Sequence, residues 1–238
     1  MAVMSVLERK TDVIAMLKTG GGKSMLPIIA AIVESKKAVV VILPLRSLMT
    51  DWQRKLRAMG VHFQVYDPKD DLNSTINLIL ALEDKAKFKT FRMRLAELNE
   101  TLPVARIVFD EAHLPLTSND FRESMQHISE LRQFPMQLVL LSSAIPSTSI
   151  AALKKTFGLM PNAKEIRQST NRPELEYILK APAPSRDLEK KAIEIVEKER
   201  ENWSPKDRGL VFVTYMEDGE SLAKEVRWHH LLAYAHTN

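Results

Sequence analysis

The sequence predicts an α/β fold built on a mainly parallel, doubly wound sheet. The first observation is a series of short apolar runs: 12–17 (DVIAML), 38–43 (AVVVIL), 62–66 (HFQVY), 77–82 (NLILAL), 105–110 (ARIVFD) and 137–142 (QLVLLS). Most are nearly continuous rather than alternating, which suits strands buried on both faces of a parallel sheet. The second is helical spacing between the runs. Leu48, Met49, Trp52 and Leu56 share one helix face, with Gly60 as a stop. Ile150, Leu153 and Phe157 do the same, with Ser147 or Thr148 as a cap and Gly158 at the end. The third is the strand–helix alternation itself, which argues for helices on both faces of one sheet.

The pattern changes at 168–186 (QSTNRPELEYILKAPAPSR), a proline-rich stretch that reads as a crossing between domains. Beyond it a new unit is expected: a helix over 187–203 through Leu188, Ala192, Ile193 and Val196, a strand at 209–214 (GLVFVT), and a helix over 217–234. The expected division is 1–170 and 171–238. A length of 238 residues fits one full domain and a small or partial second. Hydrophobic residues make up 45%, enough to bury a core.

No apolar run approaches the roughly 20 residues of a membrane helix, and the N-terminus lacks a signal-peptide pattern. A soluble intracellular protein with no membrane partner is the expectation. With no cysteine, disulfides and cysteine-ligated zinc are excluded within this sequence. The net charge of +4 is compatible with a polyanionic partner without requiring one. The densest basic cluster, KAKFKTFRMR at 85–94, reads as a solvated helix face.

Two segments carry chemistry. The first strand runs into LKTGGGKSM. Gly20, Gly21 and Gly22 free the backbone so that amides can point at a phosphate. Lys23 then supplies charge for the β- and γ-phosphates of a nucleotide, and Ser24 a hydroxyl for Mg²⁺. Leu17 stands where the strict phosphate-loop pattern has a glycine, so the match is partial. The second segment, ARIVFDEAH, sets Asp110 at the carboxyl end of a strand, where open α/β sheets bind ligands. Asp110 suits Mg²⁺, Glu111 suits a general base on water, and His113 lies where a γ-phosphate can be sensed. A strand ending in Asp-Glu can be only a solvated turn; downstream of a phosphate loop the pair points to NTP hydrolysis.

TGGGKS with DEAH resembles a superfamily 2 helicase, and further segments resemble the RecQ-like group in its fungal form. PLRSLMTDW (44–52) resembles the motif after the second strand. LSSAIPS (141–147) resembles the Thr-Ala-Thr motif, IRQSTNRPELEY (166–177) the passage into a second motor domain, and GLVFVTYMEDGESLAKEV (209–226) that domain's opening. The resemblance implies a RecA-like P-loop domain over 1–170 and the start of a second RecA-like domain over 171–238. It implies a nuclear DNA helicase that moves 3′ to 5′ on single-stranded or forked DNA with ATP and Mg²⁺. By the same match Thr19 joins the ATP loop, Ser142 and Ser143 couple hydrolysis to DNA, and Pro44 and Ser47 lie near the DNA backbone.

Departures accompany the match. The loop after DEAH keeps Phe121 and Arg122 but lacks the family's tryptophan, and Ser143 replaces an alanine. Neither the adenine-reading glutamine nor the arginine-finger motifs occur in these 238 residues, so this chain alone is expected to bind ATP, hydrolyse it poorly and unwind nothing. The alternative reading is a degenerate nucleic-acid-binding module without motor activity; another P-loop enzyme, such as a kinase, fits STNRP and DEAH less well.

At single residues the functional and structural readings compete. Trp52 faces either DNA or, at its helical spacing, the core. Phe121 can stack on a base or anchor a helix. Arg172 can meet a phosphate or merely fix a turn. His229, His230 and His236 read as a surface helix end rather than a metal cluster.

Overall fold

The computed structural model describes residues 2–117, 129–133, 135–143, 145–169, 171, 173–178, 187–204, 206–207, 209–213 and 215–225. The chain divides into two compact units, Met1–Pro173 and Glu174–Asn238.

In the first unit all six apolar runs become strands: β1 (Val13–Met16), β2 (Ala38–Leu43), β3 (Gln64–Val65), β4 (Leu78–Leu82), β5 (Val104–Phe109) and β6 (Gln137–Ser142). A seventh, β7 (Lys164–Arg167), joins them. The sheet order is β3-β4-β2-β5-β6-β1-β7, and every pairing is parallel. Parallel neighbours require crossovers. Those are supplied by α2 (Met25–Val33), α3 (Arg46–Ala58), α4 (Glu83–Ala86), α5 (Lys89–Thr101) and α7 (Ile150–Phe157), with α1 (Ala2–Glu8) ahead of β1 and the short α6 (Leu114–Thr117) after β5.

Alternate strand residues feed two cores. Ile14, Val40, Ile42 and Phe109 pack with Phe91 and Leu95 of α5 and Leu153 and Phe157 of α7. Val13, Val39, Val41 and Val108 pack with Val6 of α1, Leu26 and Ile28 of α2, and Met49, Trp52 and Leu56 of α3. Burying one such aliphatic side chain contributes about 1.5–3 kcal/mol, so the two-faced apolar runs alone favour this architecture strongly. A charge at Val40, fully buried in the central β2, would break it.

Helix ends follow local chemistry. After α3 the chain turns at Gly60 (φ +66°), and α7 ends at Gly158 (φ +59°), the left-handed stops that glycine permits. At the start of α7, Ser147–Ser149 form a 3₁₀ turn and Ser149 is the N-cap, with no side-chain capping bond. Neither Ser147 nor Thr148 therefore serves as the cap: the extra turn moves the helix start two residues on.

The second unit contains α8 (Leu188–Arg200) and α9 (Met216–Glu225). The rest of the helix expected through 234 lies outside the described residues. The strand expected at 209–214 does not form over its described part: Leu210 is 85% and Phe212 90% exposed. A strand needs a neighbour to take its amides and carbonyls, and the described residues of 174–238 contain none.

Candidate active site

The site lies at the carboxyl edge of the sheet and is built from the ends of β1, β5 and β6 with α3 alongside. After β1, the Leu17 amide donates to Ser142 O (3.1 Å) and the Gly21 amide to Lys18 O (2.8 Å). Gly20 (φ +77°) and Gly22 (φ +80°) sit in the left-handed region, and a Cβ on Gly21 would stand 2.8 Å from Lys18 O. Each glycine of the loop is thus demanded by geometry. Thr19 is exposed at the loop's start, and Ser24 caps α2 without using its hydroxyl as a cap.

Lys23 is tucked inward, its side chain only 12% exposed. Its Nζ donates to Leu17 O (3.4 Å) and stands 4.0 Å from Glu111 Oε1. The loop lysine and the acidic box, 88 residues apart in sequence, therefore meet. Asp110 follows β5 directly, its amide donating to Ile42 O (3.0 Å), and the Ala112 amide donates to Leu141 O (2.9 Å). These bonds pin both sides of Glu111, whose φ of +48° is unusual for a side-chain-bearing residue. Such strain costs about 1–3 kcal/mol and persists where its surroundings enforce it.

Burial raises the Glu111 carboxyl above its ordinary range, and the Asp110 charge raises it further; Lys23 and His113 pull the other way. Its Oε2 is buried without a hydrogen bond, 3.3 Å from His113 Nδ1. His113 Nδ1 also lies 2.9 Å from Ser142 Oγ, so the acidic box and the serine-rich motif touch through one imidazole. A carboxyl with a raised proton affinity beside an ammonium suits proton transfer from water.

Other predicted residues fall around this centre. Ser143 is half-buried just past β6, and Ser47 is exposed in the first turn of α3. Pro44 and Glu83 line a small cavity together with Asp110 and Glu111. Phe121, Arg122, Arg172, His229, His230 and His236 lie outside the described residues. The basic cluster spends its charge locally: Lys85 pairs with Asp67 (2.6 Å), Arg92 with Glu130 (2.5 Å), and Arg94 with Asp71 (2.8 Å).

Three features were not foreseen. Trp52 is buried as the core reading expects, yet its Nε1 donates to Asp110 Oδ2 (3.0 Å). Lys55, one turn along α3, donates to Ser24 Oγ (2.7 Å). A buried indole N–H must find an acceptor, but periodicity cannot name it. Glu83 directly follows β4 as Asp110 follows β5, a pattern visible in NLILALE that sequence reading passed over. It is 4% exposed, its Oε1 has no partner, and burial chiefly, with Asp84, pushes its carboxyl to about 7.

Among the described residues no group of three or more His, Cys, Asp or Glu side chains forms a metal cage. Asp110, after β5, and Ser24, at the start of α2, instead carry hard oxygens. That donor set fits Mg²⁺, which is held by one or two protein oxygens together with phosphates and water.

A parallel α/β sheet with a glycine-rich loop and an acidic pair meeting at its carboxyl edge defines a RecA-like P-loop protein. The chain belongs to the DEAD/DEAH box helicase family, whose model matches residues 1–153. Its curated relatives include "ATP-dependent DNA helicase hus2/rqh1" of Schizosaccharomyces pombe, 28% identical over 92% of this chain and 18% of the relative. "Probable ATP-dependent DNA helicase RecS" of Bacillus subtilis is 26% identical over 94% and 45%. "RecQ-like DNA helicase BLM" of Xenopus laevis is 25% identical over 94% and 17%. The chain spans less than half the length of each of these relatives. Among solved structures, the helicase domain of Pyrococcus furiosus Hef has a TM-score of 0.51 at 20% identity, over 72% of this chain and 37% of that one. That likeness supports the fold. No described helix is long and apolar enough to cross a membrane.

Proposed function

We propose that this chain is the ATP-binding part of a DNA helicase motor, in which Mg²⁺-dependent ATP hydrolysis drives 3′-to-5′ movement on single-stranded or forked DNA. The observation that carries this reading is the approach of Lys23 Nζ to Glu111 Oε1 at 4.0 Å. On this reading residues 1–170 are the first RecA-like domain, and 171–238 are the linker with the start of a second. In a eukaryotic host it works in the nucleus.

The loop amides of Gly20, Gly21 and Gly22, with Thr19, cradle the phosphates, and Lys23 leaves Leu17 O to pair with the β- and γ-oxygens. Ser24 and Asp110 hold Mg²⁺, which when bound neutralises charge on the phosphates. Glu111 orients the attacking water and takes its proton. His113, in contact with both Glu111 and Ser142, senses the γ-phosphate and relays its presence to Ser142 and Ser143. Pro44, Ser47, Phe121 and Arg122 make up the DNA side.

The test is nucleotide binding and turnover by the 238-residue chain and by Lys23→Ala, with magnesium or EDTA and with or without single-stranded DNA. The expected result is magnesium-dependent, Lys23-dependent ATP binding with slow turnover, because this sequence contains no arginine-finger motif. DNA binding that is salt-sensitive and indifferent to Lys23→Ala, with no ATP binding, would support the non-motor module instead.

A further inference from the structure

We propose that Trp52 is a positioning residue for the metal side of this nucleotide site, fixing the Asp110 carboxylate through its indole N–H. The inference rests on the function proposed above and adds a residue to it.

Trp52 is 4% exposed and packs in the core beneath α3. Packing alone would be served by any large apolar side chain. The indole Nε1 instead lies 3.0 Å from Asp110 Oδ2, while the Glu111 amide lies 3.1 Å from Asp110 Oδ1. Both carboxylate oxygens are therefore held, one by a neighbouring amide and one by a side chain 58 residues away. Hydrogen bonds to an ionised acceptor are the strong kind, and two of them leave the carboxylate one orientation. The remaining lone pairs then face a fixed direction, which is what a ligand contributing a single oxygen to Mg²⁺ needs.

A second contact links this face of α3 to the end of the glycine-rich loop. Lys55, three residues on and hence on the same face, reaches Ser24 Oγ at 2.7 Å. One helix face thus touches both groups proposed to hold the ion.

The contact is tested first without nucleotide. The indole N–H signal of Trp52 in a ¹H–¹⁵N spectrum is identified by its absence from Trp52→Phe. Should that variant not fold, Trp203→Phe and Trp228→Phe assign it by elimination. The signal is expected to move in Asp110→Asn; a signal that stays put overturns the proposal. Binding of a non-hydrolysable ATP analogue is then compared with magnesium and with EDTA. Trp52→Phe is expected to cut the magnesium-dependent gain in affinity about tenfold, the low end for partners of metal ligands, and to leave the affinity in EDTA unchanged. Equal losses in both conditions would assign Trp52 to packing alone and overturn the proposal, as would no loss. If wild type itself shows no Lys23-dependent binding, the proposed function falls and takes this inference with it. Lys23-dependent binding that Trp52→Phe does not alter sinks the inference alone.

Discussion

At the amino edge of the sheet, Asp12 is fully buried and accepts from the Leu138 amide (2.8 Å), the Met160 amide (2.8 Å) and the Arg132 guanidinium. Beside it Gln137 donates to Ser5 O and Thr11 O, and Arg106 pairs with Glu34 and donates to Val6 O. Among the described residues there, Arg106 Nη1 is the one buried polar side-chain atom without a hydrogen bond. At the carboxyl edge, Glu83 Oε1 and Glu111 Oε2 are buried without hydrogen bonds, and Glu111 holds a left-handed backbone. One edge spends its polar groups on fastening α1, β1 and β6 together. The other keeps two buried carboxylate oxygens without a hydrogen bond, which lowers stability and is tolerated where a ligand completes the arrangement. On the proposed function, the fastening groups and the chemistry occupy opposite ends of the same strands.

Substitutions at the two edges should separate these roles. Glu111→Gln is expected to have the largest effect, slowing ATP turnover by about 10²–10⁴ while the urea midpoint holds or rises, because a buried carboxyl is neutralised. A large loss of stability instead would place Glu111 with the fastening groups. Asp12→Ala should do the converse. It leaves the Leu138 and Met160 amides without their acceptor while Arg132 keeps Gly158 O and Met136 O, costing about 1–3 kcal/mol per stranded amide by denaturant unfolding, with nucleotide affinity of the folded protein unchanged.

Glu83→Gln sharpens the comparison through pH. The folded-state value near 7 lies above the ordinary 4.5, so the folded chain binds more protons than the unfolded chain between those values. Wild-type stability therefore falls as pH rises through that window, and the glutamine variant lacks this loss. The advantage of Glu83→Gln should grow from pH 4.5 to 7 and then level off, reaching about 3 kcal/mol. A difference that stays flat with pH would mean that Glu83 is not held protonated. Least of all should matter Arg94→Ala, at the surface with Asp71 and Glu97. Exposed pairs contribute under about 1 kcal/mol, and DNA affinity should hardly change.

Much of this was legible in the sequence for a physical reason. Strands buried on both faces must be continuously apolar, so β2, β5 and β6 announce themselves in AVVVIL, ARIVFD and QLVLLS. The β7 strand, KEIR, buries only Ile166 at an open edge and leaves no such mark. GLVFVT has the composition of a strand, yet composition cannot supply the neighbour that a strand needs. In the site, TGGGKS and DEAH are contiguous and therefore readable. The bonds from Trp52 to Asp110 and from Lys55 to Ser24 join segments far apart in the chain, and only folding brings them together. The basic run at 85–94 looked like a charged face, and its partners Asp67, Asp71 and Glu130 come from elsewhere in the sequence.

The meeting of Lys23 with the acidic pair over a single triphosphate is tested most directly by a crystal structure of this chain with magnesium and a non-hydrolysable ATP analogue. The expected density places the γ-phosphate against Lys23 Nζ and the ion against Asp110 and Ser24, with Glu111 facing the γ-phosphorus. A triphosphate bound at the amino edge of the sheet, or one that leaves Lys23 on Leu17 O, would contradict it.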